Sequence, residues 1–205
     1  PKKDIFPALA LVVSGGHTSL ILIDEHLSYK TVGQTLDDAA GEAFDKVAKI
    51  LELGYPGGPA IEKLALSGNE NAYELPLSMV KRDALDFSFS GLKTAVLYLT
   101  KNPVTGEKRK FNRADLAASF QKTVCEILTL KTIQAVKKYQ TKTVILSGGV
   151  SANTYLREHF QKAIKKETDA TILIPPKALS TDNAVGIAIA GAMHYVKNSN
   201  VYEVP

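Results

Sequence analysis

The sequence of 205 residues sets 25 Lys and Arg against 21 Asp and Glu, for a formal net charge of +4, with 45% apolar and 22% charged residues. This composition excludes a disordered or fibrous chain, and the length suits one large domain or two small ones with a buried core. The mild basic bias is compatible with a polyanionic partner without proving one, and the single cysteine, Cys125, excludes an internal disulfide and a cysteine-rich zinc site.

Ala8 to Val13 is an apolar run that ends in the turn Ser14-Gly15-Gly16-His17-Thr18, and Ser19 to Asp24 follows as a second strand-like run. Tyr29 to Gly33 extends the pattern to a third strand. Spacing then changes to helical over Asp37 to Leu53, where Ala40, Ala43, Phe44, Val47, Ile50 and Leu51 form a core stripe. Asp38, Glu42 and Asp45 fall on the opposite face. Gly54 to Pro59 stops this helix, and Pro59 starts another through Leu66.

Phe87 to Gly91 alternates like a brief strand before a helical segment from Leu92 to Leu99. A long helix over Ala114 to Tyr139 leads into the strand Thr143 to Leu146, which again ends in a glycine turn, Ser147 to Asn153, opening a helix through about Phe160. Thr171 to Ile174 reads as a last buried strand. Asp182 to Val196 reads as a helix apolar on nearly all sides, hence buried and closely packed. Strands interleaved with helices give an α/β fold. The longest uncharged apolar stretch, Ala184 to Met193, contains two glycines and falls well short of the roughly 20 residues a bilayer span requires. No signal-peptide pattern opens the sequence, so the cytosol is the expected compartment.

The two Ser-Gly-Gly turns are the strongest site signal. Glycine leaves backbone N–H groups open to a ligand, and successive N–H groups in a tight turn favour an anion such as phosphate. The second turn also feeds a helix N-terminus, which attracts negative charge. Asp38 and Asp45 are able to hold water, a hydroxyl or a cation, but spacing alone favours a solvated face with the pairs Glu42–Lys46 and Asp45–Lys49. Asp182 is equally an N-cap of the last helix or a metal ligand. Among His17, His26, His159 and His194 no pairing diagnostic of zinc occurs, and only His17, inside the first turn, has a claim to a ligand. Cys125 reads as a buried small hydrophobe. Lys108-Arg109-Lys110, Phe111 and Arg113 form a basic loop able to lie on a nucleic-acid backbone, with a solvated loop the plainer account.

Six motifs taken together resemble one family: Val12 to Thr18, Asp37 to Lys46, Tyr55-Pro56-Gly57-Gly58-Pro59, Phe89 to Thr94, Ser147 to Asn153, and Ser180-Thr181-Asp182-Asn183. It is the tRNA threonylcarbamoyladenosine synthase family, TsaD in bacteria, formerly labelled O-sialoglycoprotein endopeptidase or glycoprotease. The resemblance implies an actin-like ATPase (ribonuclease H-like) fold, mostly its C-terminal lobe. It also implies transfer of threonylcarbamoyl from threonylcarbamoyl-AMP to the exocyclic amine of the adenosine beside the anticodon, in tRNAs reading codons that begin with A.

Carried over by motif, Val12, Val13, Ser14, Gly15, Gly16, Asp45, Gly58, Glu62 and Asn153 are expected to bind the adenylate, and Asp182 a divalent metal, iron or zinc. No enzyme nucleophile is required. Expected partners are tRNA and accessory subunits of the TsaB and TsaE type. The family also supplies an H-x-x-x-H motif ahead of the first glycine turn; only 13 residues precede Ser14 here, none a histidine. The expectation is therefore a partial TsaD-like domain over residues 1–205, without the N-terminal lobe and with an incomplete metal site. The alternative is a non-catalytic or degenerate member acting as a binding or scaffold subunit. A protease finds no Ser/His/Asp or metal-protease spacing here.

Overall fold

The computed structural model describes residues 5–80 and 83–197. Strands β1 (Ala8–Val13), β2 (Thr18–Glu25) and β3 (Ser28–Gln34) form an antiparallel meander, followed by helices α1 (Ala40–Ile50), α2 (Gly57–Ala65), α3 (Ser90–Thr100) and α4 (Arg113–Tyr139). The chain returns through β4 (Thr143–Ser147), α5 (Thr154–Glu167), β5 (Thr171–Leu173) and α6 (Ala184–Lys197). The five strands lie in the order β3-β2-β1-β4-β5, with β4 parallel to β1 and β5 parallel to β4.

Alternation along the strands aims Leu9, Leu11, Val13, Leu20, Val144 and Leu146 into one core beneath the helices. Phe44 of α1 meets Phe120 of α4 edge-on there, ring centroids 5.2 Å apart. Asn112 starts α4 by accepting the N–H groups of Ala114 and Asp115, and Gln140 ends it in a left-handed conformation at φ 50°. Cys125 is buried in α4, and burial pushes its thiol far above the ordinary range, so it packs as a small hydrophobe.

Several elements depart from the sequence reading. Helix α1 begins at Ala40, so Asp37 and Asp38 precede it and the acidic stripe shrinks to Glu42 and Asp45. The reason is tertiary: Asp37 binds Ser88, Phe89 and Ser90, and Asp38 pairs with Lys46 at 2.6 Å and Lys93 at 3.1 Å. Helix α2 starts earlier, at Gly57, whose N–H is taken by Asp45. Helix α5 runs on to Glu167 because Ile164 continues the buried stripe of Leu156 and Phe160.

Phe87 to Gly91 is not a strand. It makes a single bridge, Thr35 to Phe87, and its alternation arises because Phe87 and Phe89 both plunge into the core. β5 is a half-exposed edge rather than a buried strand. Helix α6 was expected inside, yet none of its residues is buried: Ile187 is 76% and Val196 78% exposed. All-round apolarity calls for a covering surface, and the described residues offer α6 little beyond the β2–β3 turn, where Lys197 Nζ donates to His26 O at 3.2 Å.

Candidate nucleotide site

Strand pairing brings the two glycine turns side by side. β1 and β4 run parallel in a register that sets Val12 opposite Ser147, so both strands deliver their turns to the same end of the sheet. The first turn is tied locally: Ser14 N–H donates to His17 O at 2.8 Å, while Ser14 Oγ accepts from Gly16 N–H at 3.3 Å and His17 N–H at 3.0 Å. Helix α1 docks on it, Gly41 N–H donating to Ser14 O at 3.2 Å and Ala40 N–H to Thr18 Oγ1 at 2.9 Å.

Gly41 and Gly148 are required where backbone packs closely against the first turn and β1. A Cβ at Gly41 would lie 2.6 Å from Ser14 O, and one at Gly148, where φ is +92°, would collide with the Val13 backbone. Gly15, Gly16, Gly58 and Gly149 are different in kind: their Cβ positions point into open space. Gly15, Gly58 and Gly149 line a cavity of about 200 Å³ together with Asp45, Glu62 and Asn153. Phe44, Pro56, Pro59 and Val150 supply its apolar part.

Each polar side chain in this wall is oriented by a helix. Asp45 Oδ1 accepts the Gly57 N–H at 2.7 Å at the start of α2, and Glu62 Oε1 accepts the Thr154 N–H at 2.7 Å at the start of α5. Both carboxylates thus sit at the positive end of a helix, where negative charge is stabilised. An ionised carboxylate has about four acceptor positions, so one backbone bond leaves it able to receive sugar hydroxyls. The expected Asp45–Lys49 pair does not form, because Asp45 turns towards α2; the ion pairs of α1 join Lys46 to Glu42 at 2.8 Å and to Asp38.

Asn153 is buried, its Oδ1 accepting the Leu156 N–H at 2.8 Å as cap of α5 and its Nδ2 donating to Gln121 Oε1 at 2.9 Å. Gln121 of α4 escaped the sequence reading, since nothing local distinguishes it from other polar helix residues. Chemically the cavity combines a glycine-lined wall, two carboxylates able to accept from hydroxyls, and an apolar strip with one amide.

The structure therefore gathers Gly15, Gly58, Asp45, Glu62 and Asn153 on one cavity. Val12, Val13, Ser14 and Gly16 do not line it: the Val13 side chain is wholly buried in the core, and Ser14 ties the turn. His17 is exposed beside it. Asp182 stands apart, exposed in the bend before α6, and it is not the cap; Asn183 is, accepting from Val185 N–H at 3.1 Å and Gly186 N–H at 3.3 Å. Among the described residues no three His, Cys, Asp or Glu side chains gather to hold a metal, so the expected divalent ion does not fit what is present here.

The strand order and the paired turns at one end of the sheet define an α/β domain of the actin-like ATPase, ribonuclease H-like class. The crystal structure of T. kodakarensis HypF has the same fold over 85% of this chain and 21% of its own, with a TM-score of 0.60 at 17% identity. The family model TsaD, tRNA N6-adenosine threonylcarbamoyltransferase, matches residues 1–189, and the chain belongs to that family.

Proteins of that description from Thermosipho africanus and Bacillus subtilis are 50% identical over 191 residues and 49% identical over 193. They align with 93% and 94% of this chain but with 57% and 55% of their own length, so the chain spans little more than half of these curated relatives. Among the described residues no helix is long and apolar enough to cross a membrane.

Proposed function

We propose that this chain holds threonylcarbamoyl-AMP between its two glycine turns and supplies half of the site that transfers threonylcarbamoyl to a tRNA adenosine. The observation that carries this reading is the convergence of Gly15 and Gly149, both unobstructed, with Asp45, Glu62 and Asn153 on one cavity. The phosphate lies against the turns, the ribose hydroxyls donate to Asp45 and Glu62, and the adenine rests on the strip formed by Phe44, Pro59 and Val150.

In the transfer, the exocyclic amine of the tRNA adenosine attacks the carbamoyl carbonyl carbon, the bond from that carbon to the phosphate oxygen breaks, and AMP departs as the amine proton is lost to water. The Ser14, Gly16 and His17 N–H groups are bonded within the first turn, so Gly15 and the second turn are left to favour the charge that accumulates on the leaving phosphate. No side chain of this domain forms a bond to the acyl group, consistent with the inert burial of Cys125. No step is assigned to a metal here. Completion of the active centre falls to the part of the relatives that this chain does not span, with accessory subunits of the TsaB and TsaE type as partners in the cytosol.

Calorimetry with AMP tests the binding half of this reading. Heat of binding is expected for the chain and is abolished by Gly149→Val, which fills the open wall. Absence of heat for the parent chain overturns the site.

A further inference from the structure

We infer that a second cavity, on the far side of α1 from the glycine turns, is a phosphate site for the backbone of an RNA. It measures about 190 Å³ and lies between the end of α1, the end of α3 and the segment entering α4. Lys101, Lys108, Arg109, Lys110 and Arg113 line it, against the single carboxylate of Glu52.

Glu52 is already committed: it pairs with Lys108 at 3.0 Å and with Arg113, and those two cations hold its carboxyl below the usual range. One carboxylate cannot neutralise five cations. Lys101, Arg109 and Lys110 are exposed.

These charges sit on a pinned loop. Lys101 and Lys108 face each other in an antiparallel bridge, Arg109 N–H donates to Thr100 O at 2.9 Å, and Asn102 N–H donates to Glu107 O at 2.8 Å. Like charges directly opposite across such a pair are destabilising. An anion placed between them reverses that cost, and a phosphate with its several acceptor oxygens suits both the lysine point charges and the arginine fork.

Lys101, Arg109 and Lys110 turn their charge outward around the cavity, as contact with an extended nucleic-acid backbone requires. Phe111, the one aromatic ring here, packs partly into the protein core instead of offering a stacking platform, so the contact is to backbone and not to bases. Helix α1, of 11 residues and therefore about 16 Å long, separates this cavity from the first glycine turn, beyond the reach of a mononucleotide bound there. A polymer serves both. The assignment of RNA rests on the function proposed above; the charge of the cavity stands without it.

Fluorescence anisotropy of a labelled RNA stem-loop tests the inference, comparing the parent chain with Lys101→Glu/Arg109→Glu/Lys110→Glu. The expected result is a loss of affinity of about tenfold or more at low salt, with the log–log salt slope reduced by about 2 to 3 and no dependence on loop sequence. AMP binding, followed in parallel, stays unchanged, since none of the three residues touches the nucleotide cavity. Equal RNA affinity and slope for parent and variant overturn the inference. So does saturable, variant-sensitive binding of inorganic phosphate that displaces the RNA, which marks a free-anion site, and so does capture of poly-glutamate with no binding of RNA. If RNA binding behaves as expected while the parent chain fails to bind AMP, the inference stands and the adenylate reading falls.

Discussion

Asn153 is fixed from both ends: its side-chain oxygen caps α5 at Leu156, and its side-chain nitrogen donates to Gln121 across from α4 at 2.9 Å. The cap demands an oxygen, so the amide cannot turn over. The nitrogen is thereby directed to Gln121, and its second hydrogen is the one a ligand in the cavity can accept.

Asn153→Ala removes the cap and leaves buried Gln121 unpaired, which is expected to cost about 2–3 kcal/mol by urea denaturation. Asn153→Asp keeps the cap, and Gln121 can rotate its amide to donate, so stability falls by under about 1 kcal/mol. AMP affinity nevertheless drops, because an acceptor now faces an anionic ligand. Equal AMP binding by Asn153→Asp and the parent would show that Asn153 plays no part in the ligand contact.

The glycines separate into two groups by alanine substitution. Gly41→Ala and Gly148→Ala place a Cβ against the backbone of the first turn and of Val13, and each is expected to destabilise by about 2–3 kcal/mol. Gly15→Ala and Gly149→Ala meet open space, so their melting temperatures stay near that of the parent while AMP binding weakens. A thermal-shift series with and without AMP reads both effects.

Asp37 gathers the Phe89 and Ser90 N–H groups and the hydroxyls of Ser88 and Ser90 at the start of α3. Burial alone would raise its carboxyl, but these hydrogen bonds outweigh it and hold the carboxyl below 3.8. A depressed acid contributes stability that is present above its unfolded value and is lost as pH falls through the folded one. Acid unfolding is therefore expected to include a component below about pH 3.8 that Asp37→Asn abolishes.

His159 lies partly buried, stacked on Tyr155 with ring centroids 6.0 Å apart. Burial lowers its titration below 6.5, opposed by the charges of Glu126 and Glu70. The neutral ring is the folded form, so stability is complete above 6.5 and declines as pH falls below it. NMR titration is expected to give a midpoint under 6.5, and His159→Phe flattens the pH dependence in this range; a midpoint above 6.5 contradicts the sign.

An apolar run located β1 and helical spacing located the long helix because burial dictates both: Ala8 to Leu11 are buried on both faces of the sheet, and Leu116, Phe120, Val124, Ile127 and Leu128 recur with the helical turn. The glycine turns were legible for the same local reason. What escaped reading depends on distant partners. Asp37 and Asp38 leave the helical pattern only because Ser88, Ser90 and Lys93 reach them from more than fifty residues away. Asp45 looked like a solvated carboxylate until Gly57 took it, and Gln121 gains significance only beside Asn153. For α6, composition announced a need for cover but said nothing of what supplies it.

The pairing of Val12 with Ser147 has a mechanical consequence. The gap between the two turns is one strand spacing, about 4.8 Å, and is set by ladder hydrogen bonds in the middle of the sheet rather than by loop flexibility. The cradle behaves as a fixed caliper. Warming should therefore leave its jaws unmoved until the whole ladder parts, with nucleotide release and cooperative melting falling at one temperature instead of two.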